Sequence, residues 1–289
     1  MGTRLQKWAL GLSAAGILAL PLISWAQLTT FDIATRANME SHIGNVTGHI
    51  GSRAKEDYRR YCVGCHGELG DGNGENAPWV DPKPRDFQLG VFKCRSTPTG
   101  TLPTDEDLSN TIARGMDRSN MPPWNTLSKN QRADLVAYVK HFSPRFESEK
   151  PGTPITIPSE PEVTPDRIKF GRDVYARVQC WKCHGVQGMA NGPSAATLTD
   201  DLGRPIAAYN FTEGARPKCG DTNKDIYRIF MTGLDGTPMP SYADILKPDQ
   251  AWDLVFYLRT LMPQHSKEKE IAKQLGLKPV DPNAPVAQQ

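Results

Sequence analysis

The chain has 289 residues, a length that predicts two domains at about 100–200 residues per domain. Hydrophobic residues make up 38% and charged residues 23% of the sequence, which excludes both a polytopic membrane protein and a disordered chain. Lysine and arginine number 34 against 32 acidic residues, a balance that argues against nucleic acid as a partner. The six cysteines are too few for a disulfide-rich scaffold of this length.

The first element in chain order is an uncharged segment. Arg4 and Lys7 precede the uncharged run 8–31, which has the charge and hydropathy pattern of an export signal. Cleavage would then leave Gln27 as the first residue. The same run is long enough for the ~20 residues that span a bilayer. Segment 1–26 is therefore either a signal peptide or a membrane anchor, and in both cases we expect an N-terminal hydrophobic helix. Both interpretations place the rest of the chain outside the cytoplasm.

The sequence contains an internal repeat. The motif Cys62-Val63-Gly64-Cys65-His66-Gly67 recurs 118 residues later as Cys180-Trp181-Lys182-Cys183-His184-Gly185. Met121-Pro122-Pro123-Trp124 recurs at the same offset as Met239-Pro240-Ser241-Tyr242. Two copies of one domain therefore stand in tandem, with the predicted boundaries 27–46 (leader), 47–143 (first domain), 144–164 (proline-rich linker), 165–262 (second domain) and 263–289 (charged tail).

Within each copy the hydrophobic periodicity is helical. A helix is predicted before each cysteine motif, and the second begins at Thr164-Pro165, an N-cap followed by a proline at the first helical position. Closing helices are predicted over 128–142 and 247–261. The Gly- and Pro-rich stretches between them show no strand alternation, so we expect an all-α chain. The linker prolines predict an extended connection, and the tail predicts a short helix with a loose end.

The repeated Cys-x-x-Cys-His motif has a specific chemical meaning. Two thiols one helical turn apart add to the vinyl groups of haem, and the adjacent histidine supplies an iron ligand. A zinc site would need four ligands, and a redox dithiol needs a strand-to-helix context that is missing here. The sequence therefore predicts two covalently bound haem c groups, attached through Cys62, Cys65, Cys180 and Cys183 and ligated by His66 and His184.

An electron-carrying haem c takes methionine sulfur as its usual sixth ligand. Met121 and Met239 each follow their histidine by 55 residues and stand next to prolines that stiffen a loop. These two methionines are the predicted axial ligands. The remaining candidates are Met116 and Met231, which have unequal spacings, and His42 and His49, which precede the first motif.

Both copies resemble class I (mitochondrial-type) cytochrome c domains over about residues 47–142 and 165–262. The similarity is carried by the Cys-x-x-Cys-His-Gly motif, a Gly-rich segment at 70–74, the Met-Pro-x-aromatic motif and the closing helix. As a whole the chain resembles the tandem diheme cytochromes c of bacterial periplasms. The resemblance implies that a proline carbonyl accepts the histidine Nδ1 proton, and Pro82 and Pro205 are the candidates.

Cys94 and Cys219 belong to no haem motif but occupy similar places in the two copies. If the domains pack about a pseudo-two-fold axis, equivalent residues can meet near it, and an oxidising compartment would join these two cysteines. An interdomain disulfide is therefore one hypothesis, and free buried thiols are the alternative. The neighbouring basic residues have two open interpretations, namely pairing with haem propionates or a solvated loop: Lys93, Arg95, Arg216 and Lys218.

These observations predict an electron-transfer protein of the periplasm rather than an enzyme, soluble after signal cleavage or anchored to the inner membrane. Redox proteins are the expected partners, such as a quinol-oxidising complex, a terminal reductase or oxidase, or another cytochrome. Membrane contact is expected only through residues 8–31, if that segment is retained. One alternative is a cytochrome c subunit of a membrane-bound oxidoreductase or terminal oxidase complex. A diheme peroxidase is a further alternative, which predicts a high-spin or bis-histidine haem.

Overall fold

A computed structural model describes residues 52–264 and 266–283. Within these ranges the chain is mostly helical and has no strand, with one isolated antiparallel bridge between Thr199 and Pro205. The all-α prediction is confirmed for this part of the chain. The segment 1–26, with its predicted hydrophobic helix, lies outside the described residues. Among the described helices, none has the length and apolar character needed to cross a membrane.

The first domain is built around two crossing helices. Its helices are α1 (Ser52–Tyr61), α2 (Val63–His66), α3 (Asp105–Arg114) and α4 (Lys129–Lys140). Helix α4 begins where Ser128 and Gln131 form a capping box, which satisfies two otherwise unpaired backbone amides. Buried apolar side chains of α1 and α4, among them Tyr58 and Leu135, form the core beside the cysteine motif.

The second domain repeats this arrangement. Its helices are α6 (Pro165–Arg177), α7 (Trp181–His184), α8 (Asn223–Thr232) and α9 (Pro248–Leu261), and α9 is buried along most of its length. Thr164 caps α6 by accepting from the Arg167 amide, with Pro165 at the first helical position, as the sequence predicts. Helices α6 and α9 pack closely where Gly171 faces the Asp253 carbonyl.

Helices α3 and α8 were not predicted, since they lie in stretches that look like loops. Each begins with a complete capping box, Thr104 with Asp107 and Thr222 with Asp225. The spacing Thr-x-x-Asp recurs at the 118-residue offset, and this was the signal that could have revealed both helices.

The linker and tail differ in part from the expectation. The linker opens with a short helix, α5 (Arg145–Ser148), and then lies against the first domain, where the Ile155 amide donates to the Ser96 carbonyl at 2.8 Å. The tail contains the predicted short helix, α10 (Ser266–Gln274). The expected loose end is wrong as far as Val280, because that side chain is 6% exposed and packs into the second core.

Candidate functional site

Each cysteine motif forms one helical turn at the wall of a cavity. The amides of Cys65 and His66 both donate to the Cys62 carbonyl, and the second motif has the same pattern at Cys180. Both cysteines and the histidine of each motif line their cavity. Desolvation at the wall raises the pKa of Cys62 and of Cys180 to about 12, so before any haem is attached both would be protonated thiols. None of the four motif cysteines is in a disulfide.

Each motif histidine is held in one tautomer. His66 Nδ1 lies 3.0 Å from the Arg85 carbonyl oxygen, and His184 Nδ1 lies 2.9 Å from the Tyr209 carbonyl oxygen. Burial lowers the pKa of both histidines, so the rings are neutral at pH 7. A carbonyl oxygen only accepts, so Nδ1 must carry the proton. The lone pair is therefore on Nε2, the nitrogen left to bind a metal.

The expected acceptors, Pro82 and Pro205, are wrong. Pro82 lines both cavities but lies three residues before the acceptor Arg85, and Pro205 pairs with Thr199 in the isolated bridge. The sequence carries no signal for Arg85 or Tyr209 in this role, because the accepting group is a backbone carbonyl that any residue provides.

The two methionines lie in loops of the same construction, the first methionine loop (116–121) and the second methionine loop (234–239). Each loop is closed by a backbone bond from its first amide to its last carbonyl, at 3.1 Å in both. The loop's hydroxyl residue, Ser119 or Thr237, bonds both the first carbonyl and the methionine amide. This shared geometry brings Met121 into the cavity of His66 and Met239 into the cavity of His184.

The other methionine candidates fit less well. Met116 also lines the first cavity, but the residue at its place in the second loop is Leu234. Met231 packs against the second core from helix α8. Met262 lines the second cavity and was missed by sequence reasoning, yet its sulfur already accepts a contact from Arg259 at 3.4 Å. Among the methionines of the described residues, Met121 and Met239 alone occupy corresponding places in the two cavities.

The two cavities adjoin at the domain boundary, where Pro82, Lys93 and Lys218 line both of them. Burial lowers the pKa of Lys93 to about 8, with smaller contributions from Arg85 and Lys218. Asp200 and Asp201 act in the opposite direction and raise the pKa of Lys93. The pairing of these two lysines with haem propionates stays a prediction.

The other two basic candidates are engaged elsewhere. Arg95 is buried and pairs with Asp235 at 2.7 Å, and Arg216 pairs with Asp117 at 2.7 Å. Both ion pairs cross between the domains, and neither arginine is among the residues that line the cavities of His66 and His184. The charges of Arg95 and Arg216 are therefore used in ion pairs between the two domains.

A disulfide joins the domains beside the shared wall. Cys94 and Cys219 are buried, with their sulfurs 2.07 Å apart and their Cα atoms 5.2 Å apart. Because Lys93 and Lys218 directly precede these cysteines, the bond fixes the segment that lines both cavities.

The residues of each cavity fit a haem c. Two thiols, an imidazole with a free Nε2 and a thioether lie along walls that are mainly apolar. This donor set differs from a hydrophilic metal site, and the described residues contain no group of three or more His, Cys, Asp or Glu placed to hold a metal ion.

Comparisons with known proteins indicate the family of the chain. The family model for cytochrome c matches residues 168–262, and the model for cytochrome c oxidase, cbb3-type, subunit III matches residues 51–139. A solved chain from the Kuenenia stuttgartiensis reducing HAO-like protein complex Kustc0457/Kustc0458 is 43% identical, with a TM-score of 0.72, over 73% of this chain and 96% of that one. No curated protein matches the sequence.

The chain belongs to the cytochrome c family and carries two cytochrome c domains in tandem. Such domains bind haem c covalently, one group in each domain, and serve haem-based electron transfer. Cytochrome c domains are typically extracytoplasmic.

Proposed function

We propose that this protein is a periplasmic diheme c-type cytochrome that transfers single electrons between redox partners through two His/Met-ligated haems. One observation carries the proposal: each cavity is lined by two thiols, a neutral imidazole and the methionine of a loop that a backbone hydrogen bond closes and a proline follows. When bound, the haem iron supplies a ferrous/ferric couple.

The residues have separate roles in this proposal. The four motif cysteines attach the haems through thioether bonds: Cys62, Cys65, Cys180 and Cys183. His66 and His184 present Nε2 to the iron, while the backbone bond from Nδ1 fixes the ring and raises its basicity. Met121 and Met239 would supply a thioether ligand to the iron of each haem, and His/Met ligation suits electron transfer rather than reaction with peroxide or oxygen.

A second candidate is a subunit of a larger redox complex. The 43% identical chain comes from a protein described as a complex, and it is matched over 96% of its length. The family model matched by the first domain is that of an oxidase subunit. In this version the partner is another redox protein, and residues 8–31 provide the only membrane contact if they are retained.

Absorption spectra of three holoprotein variants test the ligation. A methionine–iron bond gives a weak red band in the ferric state, and removal of the sulfur leaves that iron high-spin or differently ligated. We expect Met121→Ala and Met239→Ala each to remove the band of one haem and keep that of the other. Met116→Leu, which reproduces the residue found in the second loop, is the matched control and should keep both bands. A wild-type spectrum with a high-spin haem would favour the peroxidase interpretation and contradict the proposal.

A further inference from the structure

The second methionine loop is held by the first domain. Its Asp235 carboxylate accepts from the Arg95 guanidinium at 2.7 Å and from the Thr99 hydroxyl at 2.7 Å. The Arg95 side chain is fully buried and also donates to the carbonyl of Thr232, just before the loop, at 2.5 Å. The placement of the loop that carries Met239 therefore depends on the neighbouring domain.

The first methionine loop is held by the second domain in the same way. Asp117 pairs with Arg216 at 2.7 Å, and Arg118 pairs with Glu213 at 2.5 Å. Both pairs cross the interface, so each loop has its charged contacts on the opposite domain.

One of these interdomain contacts involves the residue that orients the second motif histidine, His184. The Arg118 guanidinium lies over the Tyr209 ring, 5.9 Å from its centroid, and the Tyr209 carbonyl accepts the proton of His184. A side chain of the first methionine loop thus packs on the residue that orients the second histidine. Arg118 also lines the second cavity itself.

A corresponding contact exists between the second methionine loop and Arg85, the residue that orients the histidine of the first domain. A Cβ atom added to Gly236, in the second methionine loop, would lie 2.6 Å from Nη1 of Arg85. The guanidinium therefore lies directly against the glycine, while the Arg85 carbonyl accepts the proton of His66. Here too a methionine loop packs on the residue that orients the other domain's histidine.

The two junctions correspond through the repeat. Arg118 and Gly236 are 118 residues apart, and both have positive φ, 57° and 76°. Each junction contains one guanidinium, supplied by the loop in one case and by the histidine-orienting residue in the other. Arg118 occupies a left-handed conformation that favours glycine, and such an outlier points to a role for its side chain.

We infer that the two haem sites are coupled crosswise, with Arg118 of the first methionine loop acting as a positioning residue for the haem of the second domain. The inference rests on the His/Met ligation proposed above. Arg118 acts through Tyr209, whose carbonyl bond sets the orientation and basicity of His184, and a more basic imidazole favours the ferric state. Arg85 and Gly236 provide the corresponding contact for the first histidine. A coupling of this kind is reciprocal between the two sites.

Redox titration of the holoprotein tests this coupling with Arg118→Gly. Glycine reproduces the residue of the second loop and suits the positive φ, so the first methionine loop should keep its shape and its methionine–iron band. Without Arg118 the Tyr209 carbonyl is held less firmly and the His184 imidazole is less basic, so we expect the midpoint of the second haem to shift toward higher potential, by about a tenfold change in its ferrous-to-ferric ratio or ~59 mV, while that of the first haem stays near its wild-type value. Arg118→Lys keeps the charge but loses the planar contact with Tyr209, so it should restore only part of the shift. Lys169→Gln, a charge removal on the exposed face of α6, should leave both potentials unchanged.

The Met121→Ala and Met239→Ala variants assign each potential to its haem. If those variants do not remove one band each, the ligation proposal is overturned, and the coupling that rests on it is overturned with it. If they do, a shift confined to the first haem in Arg118→Gly would overturn the coupling. Full restoration by Arg118→Lys would assign the effect to charge alone and would also overturn the positioning role.

Discussion

At the scale of single residues, two glycines shape the methionine loops. Gly115 and Gly233 end helices α3 and α8 with φ of 72° and 68°. A Cβ atom on either one would meet the backbone beside the following Met-Pro pair at less than 3.0 Å. The close approach lets the chain turn back across the end of the helix, and it explains why the loops need glycine for space as well as for backbone conformation.

Gly233→Ala should therefore weaken the second domain. Alanine at positive φ costs ~1–2 kcal/mol, and here its Cβ would also lie 2.8 Å from the Ser241 amide nitrogen and displace the loop. We expect a larger loss in the free energy of unfolding than for Gly203→Ala, together with a weaker methionine–iron band of the second haem. Gly203 is a matched control, since its φ is 73° and an added Cβ would meet nothing within 4 Å. Equal losses in denaturant titrations of the two holoproteins would show that the close approach contributes nothing.

At the scale of helices, the crossing of α6 and α9 depends on one small residue. Gly171 stands four residues before Tyr175, and Ala54 stands four residues before Tyr58. Both tyrosines donate to the carbonyl of the glycine that ends their cysteine motif, at 2.7 and 2.8 Å. The first domain therefore has room for a methyl group at this position, whereas in the second domain an added Cβ would lie 1.9 Å from the Asp253 carbonyl oxygen.

Gly171→Ala sets helix propensity against packing. Alanine stabilises a helix by ~1 kcal/mol over glycine, but a clash with backbone must move the helices apart, and overpacking of this kind costs ~1–3 kcal/mol. We expect a net loss of stability in thermal unfolding of the holoprotein. Lys169→Ala, at an exposed position of the same helix, removes one exposed ion pair with Asp166 and no helix–helix contact, so it should be close to neutral. If the Gly171→Ala protein were at least as stable as wild type, helices α6 and α9 would be able to move apart at this point without loss of stability.

The sequence predicted some elements better than others, for physical reasons. The helices before the motifs and the closing helices have apolar residues on one face, so periodicity reveals them. Helices α3 and α8 lie among glycines and prolines, and only their capping boxes mark them. The cysteines and histidines of the motifs were found because side-chain chemistry identifies them. The roles of Arg85 and Tyr209 were missed because backbone carbonyls accept the histidine protons.

At the scale of the whole molecule, the two domains are joined by more than their linker. The disulfide between Cys94 and Cys219 lies in the same interface as the crossed ion pairs of the two methionine loops. The bonded cysteines are 125 residues apart in sequence, so the bond closes a loop that includes the closing helix of one domain and the cysteine motif of the other. It therefore restricts the unfolded chain over much of its length.

Replacing both cysteines together, as Cys94→Ala with Cys219→Ala, should destabilise the holoprotein. A crosslink over a loop this long contributes ~2–4 kcal/mol, mainly by limiting the conformations of the unfolded chain. We expect the denaturant midpoint to fall while both haems stay attached, because neither cysteine belongs to a Cys-x-x-Cys-His motif. Thr99→Val is the control, since it removes one interdomain hydrogen bond to Asp235 and keeps the disulfide, and it should cost only ~1 kcal/mol. A double variant with an unchanged midpoint would mean that the linker and the ion pairs alone hold the domains together.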